Sequence, residues 1–160
     1  MTASDADTSA IHLLVDADAC PVREEAVKVA LRHGIKVTFV SNSFFRIESD
    51  PLVEREIVPG NFDAADDRIV EHVTKRAVVV TADILLAERC IKAEAAAVMS
   101  HTGKPFTPDS IGMAVATRSI MADLRAGGAQ MGGPAPFSRQ DRSRFLSALD
   151  LAIVRLKRHG

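Results

Sequence analysis

The chain has 160 residues, 47% hydrophobic and 26% charged, which suits one domain with a substantial core. It has no Trp or Tyr, which argues against an aromatic platform for stacking bases, and two cysteines without a CxxC, which argues against a zinc site. The net charge of −1 hides an asymmetry: residues 1–103 carry −6 and the remainder, from Lys104 onward, +5.

The first ten residues, MTASDADTSA, read as a disordered acidic tail without a targeting signal. Residues 11–16, IHLLVD, form a short apolar run that predicts a buried strand, and Pro21 suits the first turn of a helix ended by Gly34. Residues 35–41, IKVTFVS, predict a second strand and 53–59, VEREIVP, a shorter one with exposed alternate positions. Gly60 and Asn61 turn the chain into a helix over about 63–75, with Ala65, Ile69 and Val73 as its apolar stripe. AVVVT at 77–81 is the clearest buried strand, DILLAERCIKAEA is helical and AAVMS at 96–100 is another strand. HTGKPFTP reads as a loop, residues 109–126 as a helix, GGAQMGGPAPF as a loop, and Ser138 as the N-cap of a last helix through about Lys157.

Strand–helix alternation predicts an α/β fold: three layers, α/β/α, around a mainly parallel sheet, with a helical C-terminal extension. Residues 11–160 form a single domain in this reading. No apolar run approaches a membrane span, so a soluble cytoplasmic protein with reduced thiols is expected.

In a parallel α/β sheet, ligands gather at the carboxyl ends of the strands. Asp16 ends the first strand and Asp18 lies just past it. Thr81 ends the AVVVT strand, with Asp83 two residues on. Asp63, Asp66 and Asp67 lie in a first helical turn, and only folding decides whether they reach the other acids. Grouped carboxylates stay ionised when a cation offsets their repulsion, and hard oxygen ligands suit Mg²⁺ or Mn²⁺. Such ions could activate water at a phosphodiester. Each acid also has a plain structural reading: Asp18, Asp63 and Asp83 can cap helices, and first-turn acids favour the helix dipole. Asp16 is the hardest to explain away, because an acid closing a buried strand needs a partner or a cation.

Cys20 and Cys90 read as packing, and His101 is a weak site candidate. Arg118 and Arg125, seven apart on one helix, are candidates for contacts to a nucleic-acid backbone, with ordinary surface pairing as the alternative. Asn42, Ser43 and Thr81, at strand ends, join them as candidate substrate contacts.

VDADACPV, PGNFDAADDRIV, VVVTADILLAERC, FTPDSIG and GGPAPFSRQDRSRF follow one another in an order that resembles the YaiI/YqxD family of bacterial proteins, over about residues 11–150. That family is grouped with PIN-like nuclease domains. The resemblance therefore implies a parallel α/β/α sheet whose acids bind Mg²⁺ or Mn²⁺ for RNA cleavage. Carried over residue by residue, it selects Asp16, Asp18, Asp63, Asp66, Asp67 and Asp83 for the metal and Asp16, Asp18 and Asp83 for catalysis. Thr102 stands before Gly103 where the family often has an Arg. The D-x-D motif is also similar to that of haloacid-dehalogenase-type phosphatases, which would make Asp16 a nucleophile. A third expectation is a non-catalytic RNA- or protein-binding module.

Overall fold

The computed structural model describes residues 10–128 and 136–159. In chain order the elements are β1 (His12–Asp16), α1 (Arg23–His33), β2 (Lys36–Ser41), β3 (Val53–Ile57), α2 (Phe62–His72), β4 (Ala77–Val80), α3 (Ile84–Lys92), β5 (Ala97–Met99), β6 (Pro105–Phe106), α4 (Pro108–Ala126) and α5 (Arg139–His159). The expected tail falls almost wholly on residues 1–9, which lie outside the described residues, as do residues 129–135 of the Gly/Pro loop.

One six-stranded sheet runs in the order β3-β2-β1-β4-β5-β6. The first five strands are parallel, and β6 pairs antiparallel with β5. The fold is therefore α/β with a mainly parallel sheet, as the strand–helix alternation implies. β6 falls inside the stretch expected to be a loop. Its two residues are too few for a period, and their pairing depends on where the chain returns.

The core explains why β1 and β4 read as apolar throughout. Leu13, Val15, Val78 and Val80 face one cluster, while Leu14, Ala77 and Val79 face the other. α1 and α5 cover the first face, and α2, α3 and α4 the second, which gives the three layers. The C-terminal helix closes a layer: Phe145, Leu149 and Ile153, at i, i+4 and i+8, are wholly buried against the sheet. Polar ties to α1 include His33 with Asp150 (2.6 Å), Arg142 with Glu25 (2.7 Å) and the Lys157 ammonium donating to the His33 carbonyl (3.0 Å).

Several ends differ from expectation. α1 starts after Pro21, with Val22 at the N-cap and no side-chain cap bond, and ends on Gly34 in the left-handed conformation (φ 66°). α2 is capped by Asn61, whose side chain accepts the Ala64 N–H, so Asp63 is not its cap. Ser138 does cap α5, its Oγ accepting from the Asp141 N–H (3.1 Å), while Asp141 accepts from the Ser138 N–H (3.0 Å). Among the described residues no helix is long and apolar enough to cross a membrane.

Candidate functional site

The strand order creates one topological switch point. The chain leaves β1 toward β2 and β3, then returns to lay β4 on the other side of β1. In open parallel sheets ligands gather at such a point, outside the carboxyl ends of the strands, here β1 and β4. Asp16 is the last residue of β1, and Thr81 and Asp83 follow β4. β3 is parallel to β2, so α2, which follows it, begins at the same edge. That topology brings the 63–67 acids to the other two groups.

Asp16 is half-buried, and its Oδ2 accepts a bond from Thr81 Oγ1 (2.8 Å). Its carboxyl is pushed up from 3.8 to about 6, chiefly by burial. The Thr81 bond works against that rise, while the charges of Asp66, Asp18 and Asp83 add to it. Asp66 is raised in the same way, to about 6, by burial first and then by Asp83, with Asp63 and Asp67 contributing and Arg89 opposing. Asp16, Asp66 and Asp83 thus share one negative field.

The remaining acids have separate partners. Asp83 caps α3, its Oδ1 accepting from the N–H groups of Leu85 (2.9 Å) and Leu86 (3.2 Å), which leaves Oδ2 open. Asp67 is exposed and paired with Arg89 Nη2 at 2.8 Å. Asp63 is exposed at the helix start. Asp18 does not cap α1. It accepts from Ser41 Oγ (2.5 Å), the Asn42 N–H (2.9 Å) and, at 3.4 Å, Ser43 Oγ, so it closes the turn after β2. Asn42 extends that tie, its Nδ2 donating to the carbonyls of Val58 (3.1 Å) and Asn61 (2.9 Å) just before the helix that carries Asp66.

Two expected substrate contacts therefore have structural duties. Asn42 joins β2 to the start of α2. Thr81 is wholly buried, donating to Asp16 while its Oγ1 accepts the Asp83 N–H (3.0 Å), so it lies beneath the cluster and links two of its members. Ser43 is exposed beside Asp18. Arg118 and Arg125 are exposed on α4 and line a groove of about 790 Å³ that begins at Ala82, between Thr81 and Asp83.

Arg23 was not among the expected residues. Its Nε and Nη2 both donate to the Ala17 carbonyl (3.0 and 2.6 Å), and its guanidinium lies 4.4 Å from the Phe45 ring centre. It pins the loop in which Ala19 sits at φ 54°, a left-handed conformation that costs an L-residue with a side chain about 1–2 kcal/mol. The only sequence signal for Arg23 is its nearness to DADACP. Cys20 is buried and its thiol is pushed up to about 11, chiefly by burial, which fits packing rather than chemistry. Cys90, buried and pushed up to about 12, belongs to the core. His101 is half-buried and held below its usual value by burial.

Among the described residues no three His, Cys, Asp or Glu side chains are already arranged around a point that could hold a metal ion. The donor set still fits a small hard cation. Mg²⁺ keeps most of its waters and uses only one or two protein carboxylates. Asp16 and Asp66, both raised by burial and by the charges of neighbouring acids, are the carboxylates a cation would relieve most.

Comparison with known proteins returns one family model, described as "Uncharacterized BCR, YaiI/YqxD family", matching residues 14–155. A UPF0178 protein of Sphingopyxis alaskensis is 61% identical over 151 residues, covering 94% of this chain and 97% of that protein. Others, from Nitrobacter winogradskyi and Brucella ovis, are 53% and 55% identical over 94% of this chain, covering 95% and 93% of their own lengths. No solved structure matches the chain.

Proposed function

The chain belongs to the YaiI/YqxD family, and from that premise we propose that it is a Mg²⁺- or Mn²⁺-dependent nuclease acting on RNA, with a PIN-like arrangement of acids. The observation that carries this reading is the pair Asp16 and Asp66. Both are raised to about 6 and both feel Asp83, at the sheet edge where a parallel sheet binds its ligands. Arg89 and the Thr81 hydroxyl offset only part of that repulsion, so part-buried carboxylates that stay raised have a use for a cation there.

In this reading Asp16, Asp66 and the open Oδ2 of Asp83 hold the ion. A bound Mg²⁺ or Mn²⁺ supplies Lewis-acid polarisation of a phosphoryl oxygen and a more acidic water. Thr81 fixes the rotamer of Asp16 from below, and Arg23 fixes the loop that follows it. Asp18, through Ser41 and Asn42, ties β2 to the start of α2 and so sets where Asp66 stands. Asp63 and Asp67 act at a distance, adding charge to Asp66.

The phosphatase reading has less support. It needs Asp18 as a mobile general acid, and both oxygens of Asp18 are held by β2 and the turn after it. The test is cleavage of a labelled RNA in Mn²⁺ by the wild type, Asp16→Asn and Asp66→Asn. The proposal expects cleavage by the wild type alone and its loss in EDTA. Cleavage that survives both substitutions refutes the site. Phosphate release from small monoesters, with a phosphoenzyme on Asp16, supports the phosphatase instead.

A further inference from the structure

The groove along α4 lies outside the carboxylate cluster but opens beside it. One wall is the carboxyl end of β4 at Ala82 with Ser100 beyond β5, and the other is α4 itself. Its lining contains three cations, Lys104, Arg118 and Arg125, and no acid. Among the described residues none of these three side chains makes a hydrogen bond or ion pair, so all three are free to meet an anion. The bed between the cations is apolar: Phe106, Met113 and Met121. Met113 is 74% exposed, and α4, with 19 residues, buries only Ile111 completely enough to count as core. An anionic partner with flat apolar groups matches this lining on both counts.

We propose that the α4 groove is a track for an unpaired polynucleotide strand, with Lys104, Arg118 and Arg125 contacting phosphates and Phe106, Met113 and Met121 receiving bases. This rests on the nuclease reading of the neighbouring site and names the form of its substrate. Arg118 and Arg125 are two helical turns apart, about 10 Å along the axis, so they contact separate phosphates. A duplex turns its bases inward and offers the apolar bed nothing, so it engages only the cations. A strand exposes its bases and engages both. Because the groove starts between Thr81 and Asp83, a strand lying in it passes the carboxylate cluster.

A second copy of the chain fits this face poorly. Asp109 and Asp123 lie on one flank of α4 and Arg118 and Arg125 on the other, so an antiparallel pair of α4 helices sets acid against acid and Arg against Arg.

The test is fluorescence anisotropy in EDTA, where no cleavage occurs. The probes are a labelled 12-nucleotide oligo-U RNA, the matching oligo-dT, a duplex of equal length and phosphatidylglycerol vesicles. The proposal expects one or both single strands to bind at least about tenfold tighter than the duplex. It expects the salt dependence, with a slope of about −2 for three phosphate contacts, to fall to about −0.7 in Arg118→Glu/Arg125→Glu. Met113→Ser, which removes the apolar contact without adding charge, weakens single-strand binding and leaves duplex binding unchanged. Single-strand binding that is equal in wild type and the double variant, duplex binding as tight as single-strand binding, or binding to vesicles alone each overturns the track. Asp16→Asn separates the two claims. A strand that binds but is never cleaved leaves the track standing and removes the nuclease, while cleavage undiminished in the double Arg variant does the reverse.

Discussion

Replacing Asp16 by Asn is expected to stabilise the cation-free protein at neutral pH, the opposite of what removing a well-bonded half-buried group usually does. The Asp16 carboxyl lies at about 6 in the folded chain against an ordinary 3.8. The folded state therefore holds this proton more tightly than the unfolded one. Between those two values stability falls as pH rises, and above about pH 6 the ionised folded protein carries the full penalty. The difference corresponds to about 3 kcal/mol, reduced to about 2 by the solvent that still reaches the group. Asn keeps an oxygen to accept from Thr81 and drops the charge. At pH 7.5 in EDTA the variant should melt about 4–8 °C above the wild type, and at pH 3.5 the two should coincide. The assay is differential scanning calorimetry at both pH values, with and without Mn²⁺. The ion should raise the wild-type transition and leave the variant unmoved. A variant that melts lower at pH 7.5 would mean that Asp16 has a stabilising internal partner, and the argument for a cation would fail.

Thr81→Val removes the one bond that holds the Asp16 carboxyl down, so carboxyl ¹³C NMR should find Asp16 titrating above 6, and a fall would contradict the assigned contact. Leu149→Ala should cost about 2–5 kcal/mol in urea denaturation, because α5 is part of the core; a loss under about 0.5 kcal/mol would show that it is dispensable. Gly103→Ala should be the more damaging small change, since φ is +82° and an added Cβ would stand 2.6 Å from the Arg144 carbonyl oxygen. Unaltered stability would contradict that close approach between the β5–β6 loop and α5.

The fold and the edge at which the acids gather were legible because both rest on strong local signals. AVVV has no polar interruption, so it reads as a strand buried on both faces, and the alternation with helices implies parallel pairing. An acid ending such a strand lies at the carboxyl edge, where parallel sheets bind ligands. The roles of individual acids were not legible, because they depend on neighbours in space. Asp63, Asp66 and Asp67 are chemically alike and share one turn, yet Asp66 faces Asp16 and Asp83 while Asp67 turns to Arg89, and only the packing of α2 against α3 separates them. Asp18 resembles a helix cap from its place in the chain, but its partner Ser41 is 23 residues away. Thr81 looked like a substrate contact at a strand end; its hydroxyl is committed to Asp16, 65 residues earlier. Long-range hydrogen bonds of this kind leave no period or motif in the chain.

The central claim is that Asp16, Asp66 and Asp83 together hold a divalent ion. Calorimetric titration of Mn²⁺ into wild type, Asp16→Asn and Asp66→Asn tests it most directly. The account predicts one site per chain with a Kd of about 1 mM or tighter, weakened at least about tenfold by either substitution and falling away as pH drops through 6, where both carboxyls take up protons. Equal affinity in all three proteins, or no binding in the wild type at neutral pH, would contradict it.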